Sequence, residues 1–509
     1  MATADHGQAL GSAQQRAVRL RRPAVLSGIR GVTRDRALLV SLGLAFVATV
    51  GFALASISRH DQFGSNAYDL GIYDQSLWGL SHLDLKISNT VQRLPALIVE
   101  LPLMFTLAPL YWLWDDARML LVAQAALLAM ASLPIFWWAR RELGTVAGLV
   151  FQSAYLAFFG VLSGNLFDFH PAAVAAPLIS FALFALATRR TGLLLAMLAL
   201  LLVTKENYSL TVMAIGAYLV LVQRRWRLGL AIVAVAGAWF AVVWKFILPA
   251  ISGGASYAAW QYGGLGSGPG NALVHLVRHP IDSIELFFTP HAKRVGLFNL
   301  FAPWLFLSLF SPLLLVGLPT LAERFFGDKP ALWAQGFHYT LPLAPVLAFA
   351  AIDTTRRLAG LASQRHRIAA SVVAAAVLLA GLYFTFGRLR PLDELDRYAT
   401  DRQVADIRSC LATIPPAASV AATSALVPHL SHRRRIYVID RRPLPRTQYV
   451  AVDLATWHYP LTAPELGTLV DRSLSRGFGV SCSSPTIVVL QRGAPSRRVA
   501  PELASRLGI

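Results

Sequence analysis

The run ALLVSLGLAFVATVGFALASI, Ala37–Ile57, decides the fold class of this chain. It carries no charged residue and is long enough to cross the ~30 Å hydrocarbon core of a membrane as a helix. A signal peptide would have a shorter apolar core and a small-residue cleavage site. We therefore predict an uncleaved first span, preceded by a basic cytoplasmic N-terminus over residues 1–36.

Similar apolar blocks recur along the chain, which has 509 residues, 55% of them hydrophobic and 14% charged. Soluble domains carry about 25% charged residues, so the composition excludes a water-soluble enzyme, a disordered chain and a disulfide scaffold. The net charge of +19 is spread over many loops and accompanies no nucleic-acid motif. We expect membrane lipids, and no nucleic acid, as partners of this polytopic helical membrane protein.

Arginine clusters between the apolar blocks mark cytoplasmic turns by the positive-inside rule. They predict a transmembrane domain over residues 37–387 with about ten or eleven spans, a first outer loop at 57–117, and two short helices hinged near Pro312 or a re-entrant hairpin at 296–324. The proline-rich stretch 95–114 is predicted to be interfacial or re-entrant. The predicted spans after the first fall near 118–138, 145–163, 172–188, 191–204, 208–222, 228–248, 339–354 and 368–387.

Residues 388–509 contain no apolar block of spanning length. Short β-like runs occur at Arg435–Asp440, Gln448–Leu454 and Thr486–Arg492, after a helical run near 400–413. We predict a soluble extracytoplasmic α/β domain, and the chain as a whole is mainly α. Outside the cell Cys410 and Cys482 could be oxidised, so we predict a disulfide between them. The alternative is two buried thiols too far apart to bond.

Ionisable groups at or near a bilayer are costly, so they are candidates for functional residues. Several such groups lie in the predicted outer segments. In Ser65–Trp78, Asp69 and Tyr73 are four residues apart and share a helix face, whereas Asp74 lies about 140° round from Asp69. Asp69 and Asp74 could face one site if the helix begins after Asp69. The alternative is a capping aspartate followed by an amphipathic interfacial helix.

The turn Gly164–Pro171 contains Asp168 and His170 at the end of a span. This pair could bind a divalent metal, bind a diphosphate through that metal, or exchange protons. Alternatively, Asp168 caps the next helix. Lys205 and Glu206 lie in the turn between the predicted spans 191–204 and 208–222. Lys205 could bind a lipid phosphate. Glu206 could neutralise Lys205, bind metal or meet a sugar hydroxyl. A local ion pair is the alternative for these two residues.

His338 and Tyr339 precede a later span. His338 could exchange a proton or bind a phosphate, or both residues could belong to an interfacial aromatic belt. With the three preceding clusters, they suggest an outer cavity that opens to the bilayer.

This layout resembles the GT-C superfamily of membrane glycosyltransferases. In that class an N-terminal span leads to a long outer loop with interfacial helices and an acidic residue. Many spans follow, and often a soluble outer domain. Ala117–Gly144 is similar to the second span of the mannosyl- and aminoarabinosyl-transferase branch.

More closely, the chain resembles a family of predicted bacterial membrane proteins known only as a domain of unknown function. In the pattern of that family a His-x-x-Pro precedes the Pro-Leu-Tyr helix, but Val91–Pro95 has no histidine here. This departure puts a role for that position in doubt. The motifs that carry the resemblance are AYDLGIYDQSLW (Ala67–Trp78), APLYWLW (Ala108–Trp114), FDFHP (Phe167–Pro171), TKEN (Thr204–Asn207), FHY (Phe337–Tyr339) and the piece Ile414–Asp440.

The resemblance implies transfer of a sugar from a polyprenyl-phosphate donor to a glycan, lipid or protein acceptor, on the outer face of a bacterial plasma membrane. Asp69 matches the outer-loop acid and would be the general base, with inversion at the anomeric carbon. Lys205, His338 or Arg93 would stabilise the leaving phosphate. A monophosphate donor needs no dedicated metal.

A diphosphate donor would favour Mg²⁺ or Mn²⁺ at Asp168, His170 and Glu206. The sequence alone leaves both donor types open. It also leaves two other functions open, a transporter or flippase for a lipid-linked sugar and a non-catalytic assembly protein. A transporter usually shows paired, symmetric halves, which are not evident here.

Overall fold

The computed structural model of the chain describes residues 35–84, 91, 93, 102–251, 260–360, 364–495 and 498–509. The predicted basic N-terminus falls almost entirely outside the described residues. The α-helices are α1 Arg36–Asp61, α2 Ile72–Ser81, α3 Arg118–Met130, α4 Ser132–Leu143, α5 Thr145–Leu156, α6 Phe159–Leu166, α7 Pro171–Ala187, α8 Thr191–Leu202, α9 Tyr208–Leu221, α10 Trp226–Val242, α11 Leu248–Ile251, α12 Pro269–Arg278, α13 Pro280–Phe288, α14 His291–Phe301, α15 Leu318–Phe325, α16 Pro330–Trp333, α17 Leu343–Leu358, α18 Gln364–Leu382, α19 Asp401–Leu411, α20 Ala463–Ser475 and α21 Pro501–Leu507.

Shorter turns of other helix types connect or extend these helices. π-helical turns cover Ala67–Gly71, Val243–Ile247 and Tyr383–Leu389. 3₁₀ segments cover Pro102–Trp112, Gly263–Leu265, Ala302–Trp304, Leu307–Phe310, Pro312–Gly317, His338–Thr340, Pro391–Arg397 and Ser424–His429. The strands are β1 Val420–Ala422, β2 Ile436–Val438, β3 Tyr449–Asp453, β4 Phe478–Ser483 and β5 Ile487–Arg492.

The described residues contain four helical segments long and apolar enough to cross a membrane, or five if α5 and α6, bent by 41°, form one span. The four are Arg36–Asp61, Arg118–Leu143, Trp226–Ala250 and His366–Asp393. The helices α7, α8 and α9 are apolar but shorter. The predicted ten or eleven spans include such short helices, and that count stays a prediction.

Large apolar side chains on the outer helices are exposed, as a lipid-facing surface requires. Phe46 and Val47 on α1 are 69% and 68% exposed, and Phe246 after α10 is 68% exposed. Inside the bundle, α1 packs on α3 and α5, and α9 pairs with α10. The core between the helices is apolar and rich in alanine, which allows close approach of helix backbones.

Two predicted cytoplasmic arginine clusters lie on one face of the bundle. Arg140 at the end of α4 pairs with Asp35, the cap of α1, at 2.6 Å. Arg356 at the end of α17 pairs with Asp353 at 3.0 Å and approaches Glu142 at 3.8 Å. The helix ends that the positive-inside rule grouped together therefore meet in space. Which side of the membrane this face occupies stays a prediction.

The segment 296–324 is broken, and the choice between its two predicted alternatives stays a prediction. It consists of most of α14, a series of 3₁₀ turns, and α15. Ser311 is extended, and its side chain accepts a hydrogen bond from the amide of Leu313 as Pro312 begins the next turn.

The C-terminal part forms a five-stranded mixed sheet of order β2-β1-β3-β5-β4. Strands β1, β2 and β3 are parallel, and β5 is antiparallel to both β3 and β4. The predicted strands and the predicted helix correspond to β2, β3, β5 and α19. The predicted Cys410–Cys482 disulfide is confirmed, with an S–S distance of 2.02 Å.

This domain is attached to the first outer loop by one face of its sheet. That face and α19 share an apolar core with Phe63, Ala67 and Ile72, while the opposite face is covered by α20 and α21. The His60 and His429 rings stack at 4.1 Å. The outer loop and the C-terminal domain therefore form one packed unit.

Candidate functional site

Four polar segments that are far apart in sequence lie at one end of the helical bundle. Asp69 lies in the π-helical turn before α2, and His170 caps the start of α7. Lys205 lies in the turn between α8 and α9, and His338 in the 3₁₀ turn before α17. Proline at the first position of α7 starts that helix immediately after His170.

Asp69, His170 and His338 converge on one point. One ligand atom from each residue lies within 4.8 Å of the others. The His170 and His338 rings stack, with centroids 3.4 Å apart and planes inclined by 17°. His338 is 4% exposed, and neither of its ring nitrogens has a hydrogen-bond partner among the described residues. Buried polar atoms usually have partners, so these nitrogens are suited to meet a ligand.

Lys205 is the cation shared by this cluster. Its charge acts electrostatically on Asp69, on both histidines, and on Tyr339. Burial raises the pKa of the Asp69 carboxyl to about 7, and the nearby Asp168 carboxylate acts in the same direction. A carboxylate with such a pKa is a proton acceptor of matched strength near neutral pH.

Asp168 lies next to the cluster and contacts the residue that begins the Asp69 turn. It is fully buried, and its carboxylate accepts hydrogen bonds from Arg59 at 2.6 Å and from the Asn66 backbone amide at 2.8 Å. The Asn66 side chain caps the turn that carries Asp69 and also donates to Asp168. Asp168 is therefore a positioning residue, and Arg59 neutralises its buried charge.

Asp74 does not face this cluster. It is fully buried, accepts a hydrogen bond from the Tyr111 hydroxyl at 2.5 Å, and contacts Ser431 and His432 of the C-terminal domain. The predicted substrate-binding role of Asp74 is therefore corrected to a role in the domain contact. The reason is that the helical turn already begins at Ala67, before Asp69, and continues into α2, so Asp69 and Asp74 lie on different faces of one helical run.

The other predicted site residues lie around the cluster. Tyr73 packs edge-on against His170 with centroids 6.0 Å apart, and Tyr339 contacts the His338 ring at 4.2 Å. Glu206 is 8% exposed and acts electrostatically on Glu323, as Lys205 does. The Glu323 side chain accepts a hydrogen bond from Asn207 at 3.1 Å.

Two arginines near the predicted cavity are engaged elsewhere. Arg93 donates to the Pro443 carbonyl at 2.9 Å and lies 3.5 Å from Asp440, so it binds the C-terminal domain instead of a leaving phosphate. Arg324 is buried and donates to two backbone carbonyls and to the Thr340 hydroxyl. It fixes the segment that presents His338.

The predicted metal-ligand set of Asp168, His170 and Glu206 is not assembled, because the Asp168 carboxylate is used by Arg59 and Asn66. Among the described residues, the group that could hold a divalent cation is Asp69, His170 and His338. However, the His170 Nδ1 atom accepts a bond from the Ala172 amide at 3.2 Å. This places the proton of the neutral ring on Nε2, which favours hydrogen bonding to an anion over metal ligation.

Sequence reasoning missed Arg59, Asn66 and Glu323. Arg59 stands at the end of the first span, and its pairing with Asp168 depends on packing between distant helices. Asn66 directly precedes the Asp69 turn, where an asparagine cap could have been inferred. Glu323 stands in an apolar segment near the bilayer, and such acids are candidates for function.

Comparison with known proteins agrees with this fold. Residues 59–465 match the model of a family described as predicted membrane protein (DUF2079). Two crystal structures of ArnT from Cupriavidus metallidurans are similar, one bound to undecaprenyl phosphate and one in the apo state. Their TM-scores are 0.54 and 0.53 at 15% identity, covering 89% of this chain and 97% of each ArnT chain. No curated protein sequence matches significantly. The predicted GT-C fold and the resemblance to a family of unknown function are thus confirmed.

Proposed function

Since the chain belongs to the DUF2079 family of predicted membrane proteins and has a GT-C fold, we propose that it is a membrane glycosyltransferase. Its donor is a sugar carried on polyprenyl phosphate, and its acceptor lies on the outer face of the membrane. The observation that carries the proposal is the convergence of Asp69, His170 and His338 beside Lys205. The undecaprenyl phosphate bound to ArnT supports a donor of the same class.

In the proposed reaction, Asp69 accepts the proton of an acceptor hydroxyl. The hydroxyl oxygen forms a bond to the anomeric carbon, and the bond from that carbon to the phosphate oxygen breaks. The electron pair leaves with the lipid phosphate, so the anomeric configuration inverts. The raised pKa of Asp69, about 7, suits a base that must be deprotonated yet strong enough to accept the proton.

Lys205 is the proposed phosphate-binding cation. Its charge acts electrostatically on Asp69, His170 and His338, which places it close to a phosphate bound in the cluster. A cation close to the leaving oxygen stabilises the charge that develops there. His338 and the Nε2–H of His170 are proposed to donate hydrogen bonds to phosphate or sugar oxygens.

Divalent metal is not required by this mechanism. A lipid monophosphate leaves with its charge stabilised by Lys205, and the His170 tautomer disfavours ligation. A Mg²⁺ or Mn²⁺ ion at the same three residues is the alternative, and chelation distinguishes the two.

The proposal is tested by binding and by product release. Purified protein is mixed with undecaprenyl phosphate and measured by native mass spectrometry. Lys205→Gln should weaken binding about tenfold, as expected for the loss of a charge-assisted contact. Lys329→Gln, at an exposed lysine in a nearby loop, is the matched control and should bind as wild type does.

Product release uses the one product that every such transfer shares. Membranes that contain lipid-linked sugars should release undecaprenyl phosphate when the wild-type protein is added. Lipid binding without any release would contradict the enzyme proposal and favour a transporter. Equal binding by Lys205→Gln and wild type would contradict the assigned phosphate site.

A further inference from the structure

A basic pocket of about 520 Å³ lies in the C-terminal domain. It lies at the end of the sheet where the parallel strands β1, β2 and β3 begin and the antiparallel strand β5 ends. Arg434 and Arg435 precede β2, Arg446 precedes β3, and Arg492 ends β5. The fold therefore brings four guanidinium groups from three chain segments to a single concavity.

The positive charge of the pocket is only partly neutralised. Arg434 pairs with Asp84 of the first outer loop at 3.1 Å. Within the described part of the chain, no carboxylate lies within ion-pair distance of Arg435, Arg446 or Arg492. Arg492 is held in place over the Phe478 ring, at 4.5 Å, and donates to the Thr447 carbonyl at 3.3 Å. Guanidinium groups arranged in this way match phosphate oxygens.

Thr447 gives a second, independent indication that the pocket binds a ligand. Its side chain lines the pocket, is 3% exposed, and its buried hydroxyl has no hydrogen-bond partner among the described residues. A buried hydroxyl without a partner costs free energy. This cost is removed when a ligand oxygen enters the pocket and bonds to the hydroxyl.

The pocket lies beside the outer loop that carries the candidate site. Asp84, which contacts Arg434, follows α2, whereas Asp69 precedes it, so the full length of this helix, about 15 Å, lies between the two residues. A glycan of several sugar units held in the pocket would be needed to extend to Asp69. The volume also exceeds the size of a single phosphate group, which leaves room for an attached sugar.

We infer that this pocket binds a phosphate-bearing glycan. Resting on the proposed function, we assign that glycan as the acceptor of the transferred sugar. Arg435 and Arg446 bind the phosphate group, and Thr447 bonds to an oxygen of the same ligand. The pocket thus selects the acceptor, whereas the cluster at Asp69 performs the transfer.

The test uses the full chain in phosphatidylcholine nanodiscs, with glucose 1-phosphate and inorganic pyrophosphate as probes and uncharged glucose as a control. Binding is measured by calorimetry. The double variant Arg435→Gln/Arg446→Gln should weaken the binding of both anions at least about tenfold. The matched double variant Arg472→Gln/Arg476→Gln removes two exposed charges on and just after α20 and should bind as wild type does.

Thr447→Val separates ligand binding from folding. Because it removes an unpartnered buried hydroxyl, it should leave the melting temperature of the unliganded protein unchanged or raise it, while weakening anion binding. Unaltered binding in the pocket double variant, or equal loss in the control variant, would overturn the inference. Asp69→Asn should bind glucose 1-phosphate normally, so failure of the transferase proposal would not imitate failure of this one.

A final arm tests the source of the phosphate. Nanodiscs that contain phosphatidylglycerol should not weaken glucose 1-phosphate binding. If they do so in wild type but not in the pocket double variant, the pocket binds lipid headgroups and the glycan assignment is refuted.

Discussion

Replacing Asp69 by Asn retains the size of the side chain but removes its carboxylate. Burial beside Asp168 raises the pKa of Asp69 from 3.8 to about 7. A shift of one pKa unit corresponds to about 1.4 kcal/mol. The Asp69 side chain is partly exposed, so screening by solvent reduces this energy. With this reduction, the ionised carboxylate lowers the stability of the fold by on the order of 1–4 kcal/mol above pH 7. Asp69→Asn should therefore unfold at the same or a higher temperature at pH 8.

The same substitution should abolish transfer. A general base contributes typically about 10²- to 10⁴-fold to the rate. We expect release of undecaprenyl phosphate from lipid-linked sugars to slow at least about a hundredfold, with binding of undecaprenyl phosphate unchanged. Asp471→Asn, the same change at an exposed acid on α20, is the matched control and should retain the wild-type rate.

Retained activity in Asp69→Asn would contradict the assignment of Asp69 as the general base. If Asp69 were only a helix cap, the variant would keep both its stability and its activity, because Asn caps a helix about as well as Asp does. A fully active Asp69→Asn protein excludes Asp69 as the base, whatever its stability.

Removing the Cys410–Cys482 disulfide by a double serine substitution opens a link between residues 72 positions apart and should cost about 2–4 kcal/mol in denaturant titrations of the full chain. Arg59→Gln leaves the Asp168 carboxylate buried without its cation and should lower the free energy of unfolding by about 3–5 kcal/mol. Adding Asp168→Asn should recover part of this stability. If the effects of the two substitutions simply add, the buried ion pair is contradicted. Burial opposes protonation of His432, but the neighbouring carboxylates outweigh burial and raise the pKa of His432 above 6.5. The protonated ring therefore stabilises the fold fully below pH 6.5, and this stabilisation is lost as the pH rises through the higher pKa of the folded state. Thermal melts from pH 5.5 to 8.5 should show this loss in wild type and a flatter profile in His432→Gln. Exhaustive chelation should leave undecaprenyl phosphate release unchanged, and a loss restored by Mn²⁺ or Mg²⁺ would assign a metal to the site instead.

The membrane class and the C-terminal domain could be predicted because their signals are local. The apolar run after Arg36 needs no partner to be recognised as a span, and alternation with β-branched residues marks β2, β3 and β5. The C-terminal helix α21 was not predicted; it buries Leu503 and Leu507 against α20. That contact depends on distant packing.

The candidate site was predictable in part. The polar motifs containing Asp69, His170, Lys205 and His338 do meet, because the alternation of span ends places them at one end of the bundle. Their individual contacts depend on three-dimensional packing that spacing does not specify. Asp168 was predicted as a ligand, but it lies behind the cluster as the partner of Arg59.

A comparison of glycans tests directly whether the chain transfers a sugar. Total glycolipids and cell-wall glycans of a deletion strain are compared by mass spectrometry with those of the same strain complemented with the wild-type chain. If the chain is a glycosyltransferase, one glycan species disappears on deletion, wild type restores it, and its lipid-linked sugar precursor accumulates in the deletion strain. Identical glycans in the two strains, with no accumulated precursor, would contradict that function.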